Sequence, residues 1–301
     1  MRSLLALLLP LVACREAPPP REFDGAAALA YVRTQLAFGP RIPGQPGHAK
    51  MAAWLDSLLR TRADSVPAQR WTHVTRAGDS LALVNFIARF NPGAATRLLF
   101  LAHWDTRPRA DGPMSRDSTL PVPGANDGAS GVAVLLGMAD QLKRTPPAIG
   151  VDLLFVDGED YGDFNRNEDV LLGSRYYAAH LPPGPTPRFA VLLDMIGDKD
   201  LRIQQEGGSL TGAPDVVEAV WALAGRIGHG DVFVPEEGIS LTDDHVPLQQ
   251  AGIRAIDLID FTFGGADNRW HHTPDDTIDK VSAASLQAVG DVMMAVVRTQ
   301  K

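Results

Sequence analysis

The chain has 301 residues, of which 45% are hydrophobic and 21% are charged. This length and composition are typical of a globular protein with a full core. The formal net charge of −8 argues against a nucleic-acid or anionic-membrane partner, because phosphate binding requires clustered Lys and Arg. Cys14 is the chain's only cysteine, which excludes a disulfide within the chain.

The first residues are predicted to be an export signal. Arg2 precedes the apolar run 4–13, which is too short to span a bilayer. Small residues before Cys14 and a Pro-rich stretch after it resemble the lipobox of bacterial lipoproteins. We therefore predict a signal peptide over 1–13, a tether over 14–22, and an exported lipoprotein of the bacterial cell envelope anchored at Cys14. The alternative is a plain secretory signal that ends near a buried cysteine.

Helical and extended patterns alternate along the rest of the chain. Helices are predicted over 23–38 and 51–59, followed by strands over 80–90 and 97–102. A long polar loop over 105–128 is expected to be functional. A helix over 129–143 comes next, and strands over 151–156, 189–194 and 254–260 then alternate with helical patterns near 170–180, 213–227 and 282–299.

Near-continuous apolar strands between helices indicate an α/β fold whose mostly parallel mixed sheet is covered on both faces. We predict one three-layer α/β/α domain over 23–301, because the residues that suggest a site are spread from 103 to 272 and must meet in one place. The N-terminal stretch 15–45 is expected to lie against this core.

Acidic and histidine residues occur where the apolar runs end, namely His103, Asp105, Glu159, Asp160 and Asp194. In an alternating α/β protein the strand ends converge on the ligand crevice. Zinc accepts histidine nitrogen and carboxylate oxygen together. The sequence therefore predicts an enzyme with one or two zinc ions.

Two acidic segments of the sequence have clear alternative interpretations. Asp127 lies in a Gly-rich turn ahead of a helix, where it is either a metal ligand or a plain N-cap. Glu159 and Asp160 are adjacent carboxylates, which repel each other unless a cation or proton compensates them. We expect Asp160 on the metal and Glu159 as a general base with a raised pKa; the alternative is a solvated acidic loop.

The remaining polar clusters allow more than one role. Asp105 is expected to steady the ring of His103 or a neighbouring ligand. Asp194 either ligates a second metal or binds the substrate amine. One carboxylate of the pair Asp243–Asp244 is expected to join a proton relay while the other caps a helix. Of His271 and His272, only one is expected to reach the metal, and Asp275 or Asp276 is expected to cap the final helix.

Together these segments resemble the zinc aminopeptidase and glutaminyl cyclase superfamily, which is similar to peptidase family M28, over about residues 23–300. Several details are closer to bacterial glutaminyl-peptide cyclotransferase-like proteins. The motifs that carry this resemblance are Phe38–Arg41, His103–Pro108, Gly124–Val132, Asp157–Asp160, Leu172–Ser174, Leu193–Gly197 and Asp243–Pro247. The resemblance implies a zinc-exopeptidase-like fold.

The resemblance also implies roles for individual residues. Asp127, Asp160 and His272 would hold the shared zinc, and Glu159 would be the general acid/base. Asp194 and Asp244 would steady the proton transfer, whereas in di-zinc aminopeptidases His103 and Asp194 would hold a second ion bridged by Asp127. The surrounding or pocket residues would be Trp104, Asp105, His245, Trp270 and His271. His271 stands where cyclases carry Trp, and Asp160 stands where many relatives have Glu.

The leading hypothesis is a glutaminyl-peptide cyclotransferase, which converts N-terminal Gln of a peptide to pyroglutamate and releases ammonia. The first alternative is a di-zinc aminopeptidase, and the second is a non-catalytic lipoprotein that reuses the fold. Both enzymes bind a free peptide N-terminus, and the protein is expected to be a monomer. Conversely, a binding module would have no need for a base at Glu159.

Overall fold

The structure is a computed structural model that describes residues 22–300. The predicted signal peptide, Cys14 and the tether apart from Glu22 lie outside the described residues. The helices are α1 (Gly25–Leu36), α2 (Pro46–Arg60), α3 (Ala129–Arg144), α4 (Leu172–Ala179), α5 (Gly207–Gly212), α6 (Pro214–Arg226), α7 (His245–Gln250) and α8 (Ala283–Thr299). The strands are β1 (Ala68–Val74), β2 (Ser80–Phe90), β3 (Arg97–His103), β4 (Gly150–Val156), β5 (Ala190–Asp194), β6 (Ile203–Gln205), β7 (Phe233–Glu237) and β8 (Ala255–Ile259).

Within residues 22–300 the strands of the main sheet lie in the order β1-β2-β4-β3-β5-β8. Strand β2 is antiparallel to both of its neighbours, whereas β4, β3, β5 and β8 run parallel to one another. The strands β6 and β7 form a separate parallel pair. The prediction of a mostly parallel mixed sheet is therefore confirmed.

Helices cover the sheet on both faces. Every residue of β3, β4, β5 and β8 is buried, as expected for strands with a helix layer on each side. Helices α1, α3 and α8 pack together on one face, and α4 and α7 pack on the other. All four of these central strands run in one direction, so their carboxyl ends lie along the same edge of the sheet.

The described part of the N-terminal stretch lies against the core, as expected. Asp24 caps α1 by accepting a hydrogen bond from Ala27 N at 2.9 Å. Phe23 is buried between α3 and α8, where Gly137 and Gly290 leave room for its ring: a Cβ at either glycine would lie 2.5 Å or less from it. Phe23, near the first described residue, thus packs directly against the last helix of the chain.

Two local expectations differ from the structure. Strand β1 was not predicted, because it is a half-exposed edge strand without a run of buried side chains. The final helix is not capped by Asp275 or Asp276. Ser282 caps it by accepting a hydrogen bond from Ser285 N at 3.0 Å, since a 3₁₀ turn over Ile278–Lys280 intervenes. Across residues 22–300, no helix has the length and apolar character needed to cross a bilayer.

Candidate active site

A cavity of about 730 Å³ opens at the carboxyl edge of the parallel strands. His103 ends β3, Glu159 and Asp160 follow β4, and Asp194 ends β5. The polar part of the cavity wall includes Asp127, Glu159, Asp194, Asp243, His271 and His272. The sheet therefore delivers most of the predicted site residues to one place.

A first group of donor atoms surrounds one nitrogen of His272. Its Nε2 lies 3.3 Å from Asp160 Oδ1 and 3.6 Å from Asp127 Oδ2. These are the three residues predicted to hold the shared zinc. His272 has a φ of 53°, a left-handed conformation that costs a non-glycine residue about 1–3 kcal/mol and is often found at functional sites.

A second group surrounds His103, whose Nε2 lies 3.1 Å from Asp127 Oδ1 and 3.2 Å from Asp194 Oδ1. Asp127 therefore faces His103 with one carboxylate oxygen and His272 with the other. The ligand atoms of His103, Asp127 and Asp194 all lie within 4.8 Å of one another. Asp194 itself is followed by Met195, another non-glycine residue in the left-handed region, with a φ of 46°.

Asp105 contacts three of the predicted site residues, His103, Glu159 and Asp160. Its two carboxylate oxygens accept hydrogen bonds from the backbone N–H groups of Glu159 and Asp160, each at 3.1 Å. Its Oδ1 also lies 3.6 Å from His103 Nδ1. Asp105 thus contacts both the His103 ring and the Glu159–Asp160 backbone, the position expected of it.

Asp127 is held by backbone geometry and by Asp276. Helix α3 is capped at Gly128, with no side-chain cap, so Asp127 is not the N-cap. Gly128 has a φ of 83°, and a Cβ there would lie 2.9 Å from Asp105 O. The carboxylate of Asp276 accepts hydrogen bonds from Asn126 N at 2.8 Å and Asp127 N at 3.1 Å. Burial raises the pKa of Asp276 to about 8, and the charge of Asp127 adds to this.

Glu159 has the electrostatic character predicted for a general acid/base. Burial raises the pKa of its carboxyl group well above the usual value. The nearby carboxylates of Asp160 and Asp243 raise this pKa further, although His103 opposes them. Glu159 Oε2 lies 3.5 Å from His103 Nδ1. A buried carboxyl group with a raised pKa is suited to general acid/base chemistry.

The structure separates the two carboxylates of the pair Asp243–Asp244, and the role of Asp244 in proton transfer stays a prediction. Asp243 lines the cavity. Asp244, at the N-cap of α7, is fully buried and accepts a hydrogen bond from the Ser174 hydroxyl. Burial raises the pKa of Asp244 to about 7.

The predicted pocket residues are not all on the cavity. His271 is on its wall, packed edge-on against Phe261 with ring centroids 5.1 Å apart. Trp104 is buried under the site, stacked on His48. Trp270 packs against Phe263, away from the cavity wall. His245 is buried beside Glu206, with 3.4 Å between Nε2 and Oε2.

The described residues fit zinc on their own chemistry. Imidazole nitrogens and carboxylate oxygens are the donors zinc takes in catalytic sites. One group of ligand atoms within 4.8 Å of each other comes from Asp127, His271 and His272, and the other from His103, Asp127 and Asp194. Asp160 Oδ2 is buried with no hydrogen-bond partner among residues 22–300, a cost that a bound cation would offset. The structure brings His271 as well as His272 close to Asp127; which of the two histidines binds the metal stays a prediction.

Sequence reasoning gave no individual role to several residues that contact this site, although Arg41 and Arg107 lie within the motifs of the resemblance. Arg41 is fully buried and donates to the backbone oxygens of Trp104 at 3.1 Å and Gly124 at 2.7 Å, which fixes both ends of the loop before α3. Arg107 and Asp111 contact Asp160 and His272 from the same loop. The signal available for Arg107 was its place within the motif His103–Pro108; Asp111 has no comparable signal.

Known proteins with similar sequences and folds include both enzyme types. The chain is 33% identical over 189 residues to aminopeptidase YwaD of Bacillus subtilis (strain 168), a match that covers 60% of this chain and only 38% of that protein. The structure of Bacteroides thetaiotaomicron glutaminyl cyclase bound to N-acetylhistamine is 34% identical, with a TM-score of 0.88 over 95% of this chain and all of that one. A Zn-dependent exopeptidase from Parabacteroides distasonis ATCC 8503 is 33% identical, with a TM-score of 0.88 over 94% of this chain and all of that one. Residues 85–297 match peptidase family M28, and the chain belongs to this family.

Proposed function

We propose that this chain is a zinc-dependent glutaminyl-peptide cyclotransferase. The observation that carries the proposal is the likeness to the Bacteroides thetaiotaomicron glutaminyl cyclase, which is 34% identical and covers 95% of this chain and all of that one. The buried Glu159 lies directly beside the zinc donors on the cavity wall, where either enzyme needs a proton carrier. The Zn-dependent exopeptidase of Parabacteroides distasonis is matched equally completely, so coverage does not separate the two functions.

In this proposal Asp127, Asp160 and His272 hold the zinc. When bound there, zinc supplies a Lewis acid that polarises the γ-carboxamide of an N-terminal Gln. Glu159 takes a proton from the α-amine as the amine nitrogen bonds to the carbonyl carbon (Cδ) of the γ-carboxamide. The same carboxyl group then donates the proton to the amide nitrogen as the bond from Cδ to that nitrogen breaks, and ammonia leaves.

The other residues of the cavity orient the substrate. The carboxylates of Asp194 and Asp243 line the wall beside Glu159 and are placed to accept hydrogen bonds from the substrate amine. Ile259 and Phe261 form an apolar part of the same wall. Because the reaction is intramolecular, folding the Gln side chain onto its own amine supplies much of the rate enhancement.

A second candidate function is a di-zinc aminopeptidase. The observation that favours it is the second donor group, in which Asp127 Oδ1 and Asp194 Oδ1 both approach His103 Nε2. His103 and Asp194 would then hold a second zinc that Asp127 shares with the first. Glu159 would remove a proton from the water that attacks the first peptide bond.

Product analysis separates the two functions. The zinc-loaded chain is incubated with a peptide that begins with Gln and with a matched peptide that begins with Ala, and the products are identified by mass spectrometry. We expect the Gln peptide to lose ammonia and otherwise stay intact, while the Ala peptide is unchanged. Release of the first residue from either peptide would instead establish the aminopeptidase and reject the cyclase.

We further propose that Cys14 carries a lipid anchor that holds the protein in the cell envelope. The apolar run 4–13, the small residues before Cys14 and the Pro-rich stretch after it support this proposal. In a bacterial host, we expect Cys14→Ser to move the protein from the membrane fraction to the soluble fraction. Immunoblotting of the two fractions measures the shift; an unchanged distribution would reject the anchor.

A further inference from the structure

We propose that Arg107 and Asp111 form a strap that positions two zinc ligands, Asp160 and His272, from outside the metal site. The inference rests on the zinc site of the proposed function but not on which reaction that site catalyses. Both residues come from the polar loop that joins β3 to α3.

Arg107 joins two carboxylates. Its Nε and Nη2 donate to the two oxygens of Asp111 at 2.5 and 2.7 Å, and its Nη1 donates to Asp160 Oδ1 at 2.7 Å. Only 6% of the Arg107 side chain and 1% of the Asp160 side chain are exposed, so this ion pair is shielded from water more than a surface pair is. The Asp111 side chain is 47% exposed. Bidentate geometry of this kind needs the planar fork of arginine.

Asp111 extends the strap to His272. Its Oδ1 lies 3.5 Å from His272 Nδ1, whereas Asp127 and Asp160 lie near the other ring nitrogen, Nε2. A carboxylate beside one nitrogen of a ligating histidine fixes the tautomer and the ring orientation, leaving the opposite nitrogen for the metal. Asp111 is in the position for this role.

The same arrangement holds for Asp160. Oδ1, which lies 3.3 Å from His272 Nε2, accepts the hydrogen bond from Arg107, while Oδ2 is buried with no hydrogen-bond partner within residues 22–300. A buried carboxylate oxygen without a donor is costly unless a cation compensates it. The strap therefore engages one atom of each ligand and leaves another atom available to zinc.

The backbone sets the distance between this loop and the histidines. Gly112 N donates to His272 O at 3.0 Å. A Cβ at Gly112 would lie only 2.2 Å from His271 O, so no larger residue fits at this contact. Asp111 is thus held next to the His271–His272 turn by its neighbour in sequence, and its approach to His272 does not depend on the ion pair with Arg107 alone.

The test compares two carboxylate-to-amide changes on the same cavity. Asp111→Asn removes the charge that faces His272, whereas Asp267→Asn removes a charge on the cavity wall that pairs with Arg269. Zinc affinity is measured by competition with a chromogenic chelator. We expect Asp111→Asn to weaken zinc binding roughly 10- to 100-fold, the range for carboxylates that orient a metal ligand, and Asp267→Asn to leave it unchanged. Equal affinities for Asp111→Asn and the unaltered protein, or equal losses in the two variants, would overturn the inference.

A double-mutant cycle tests whether the two residues act together. Lysine at position 107 retains the positive charge but cannot hold both carboxylates, so Arg107→Lys is expected to weaken zinc binding. If Arg107 and Asp111 act together, the double variant Asp111→Asn/Arg107→Lys binds zinc no more weakly than whichever single variant has the lower zinc affinity. Fully additive losses would show that the residues act independently and would reject the strap. Zinc affinity is measured without substrate, so this test is independent of the product analysis. The role of Arg107 and Asp111 can be rejected while cyclisation is observed, and it can be supported while no cyclisation is observed.

Discussion

Changing Glu159 to Gln is expected to lower turnover by roughly 100- to 10,000-fold, the range for a positioned general acid/base, while zinc stays bound. The amide cannot accept the proton of the attacking group or return it to the leaving group. Its shape is close to that of the carboxyl group, and Glu159 is not among the three residues proposed to hold the first zinc. Turnover is measured with the substrate found by product analysis, and zinc content is measured by elemental analysis.

A matched control for this variant lies on the same loop. Glu168 follows the same strand but is half-buried outside the cavity and pairs only loosely with Arg76, at 3.8 Å. Glu168→Gln makes the same chemical change outside the cavity and should leave turnover unchanged. If Glu159→Gln instead kept near-full activity, the proton carrier would be another group and the mechanism proposed for either enzyme would be wrong.

The parts of this site that the sequence predicts are those delivered by buried strands. Apolar runs identify β3, β4 and β5, and the polar residues that follow a buried strand must lie at its carboxyl end. His103, Glu159, Asp160 and Asp194 could therefore be grouped before any distance was known. Strand β1 escaped prediction for the same reason, since a half-exposed edge strand lacks such a run.

The parts that the sequence does not predict depend on side-chain direction and on contacts between distant segments. Whether Asp243 or Asp244 faces the cavity depends on side-chain direction just before α7, which sequence spacing does not resolve. Asp275 or Asp276 was expected to cap the final helix, but Asp276 accepts hydrogen bonds from Asn126 and Asp127, respectively 150 and 149 positions earlier in the chain. Such pairings arise only once the sheet has brought the two segments together.

Asp127 is the residue whose loss is expected to affect the metal most. Its two carboxylate oxygens face His103 and His272 separately, so Asp127→Asn should weaken both donor groups at once. We expect zinc affinity to fall by more than the roughly 10- to 100-fold that an orienting carboxylate contributes, and turnover to be lost together with zinc. Titration of the zinc-free protein with zinc, followed by calorimetry, measures affinity and stoichiometry together.

Two comparisons make this last result specific. Asp117→Asn alters an exposed carboxylate on the same loop, which bonds only to Thr119 among the described residues, and should leave zinc binding intact. His103→Ala removes a donor from the second group alone. If the enzyme works with one zinc at Asp127, Asp160 and His272, His103→Ala retains one tightly bound zinc, whereas Asp127→Asn retains none. Tight binding of zinc to Asp127→Asn would show that Asp127 is not shared between the groups, and the ligand assignment for both would have to be changed.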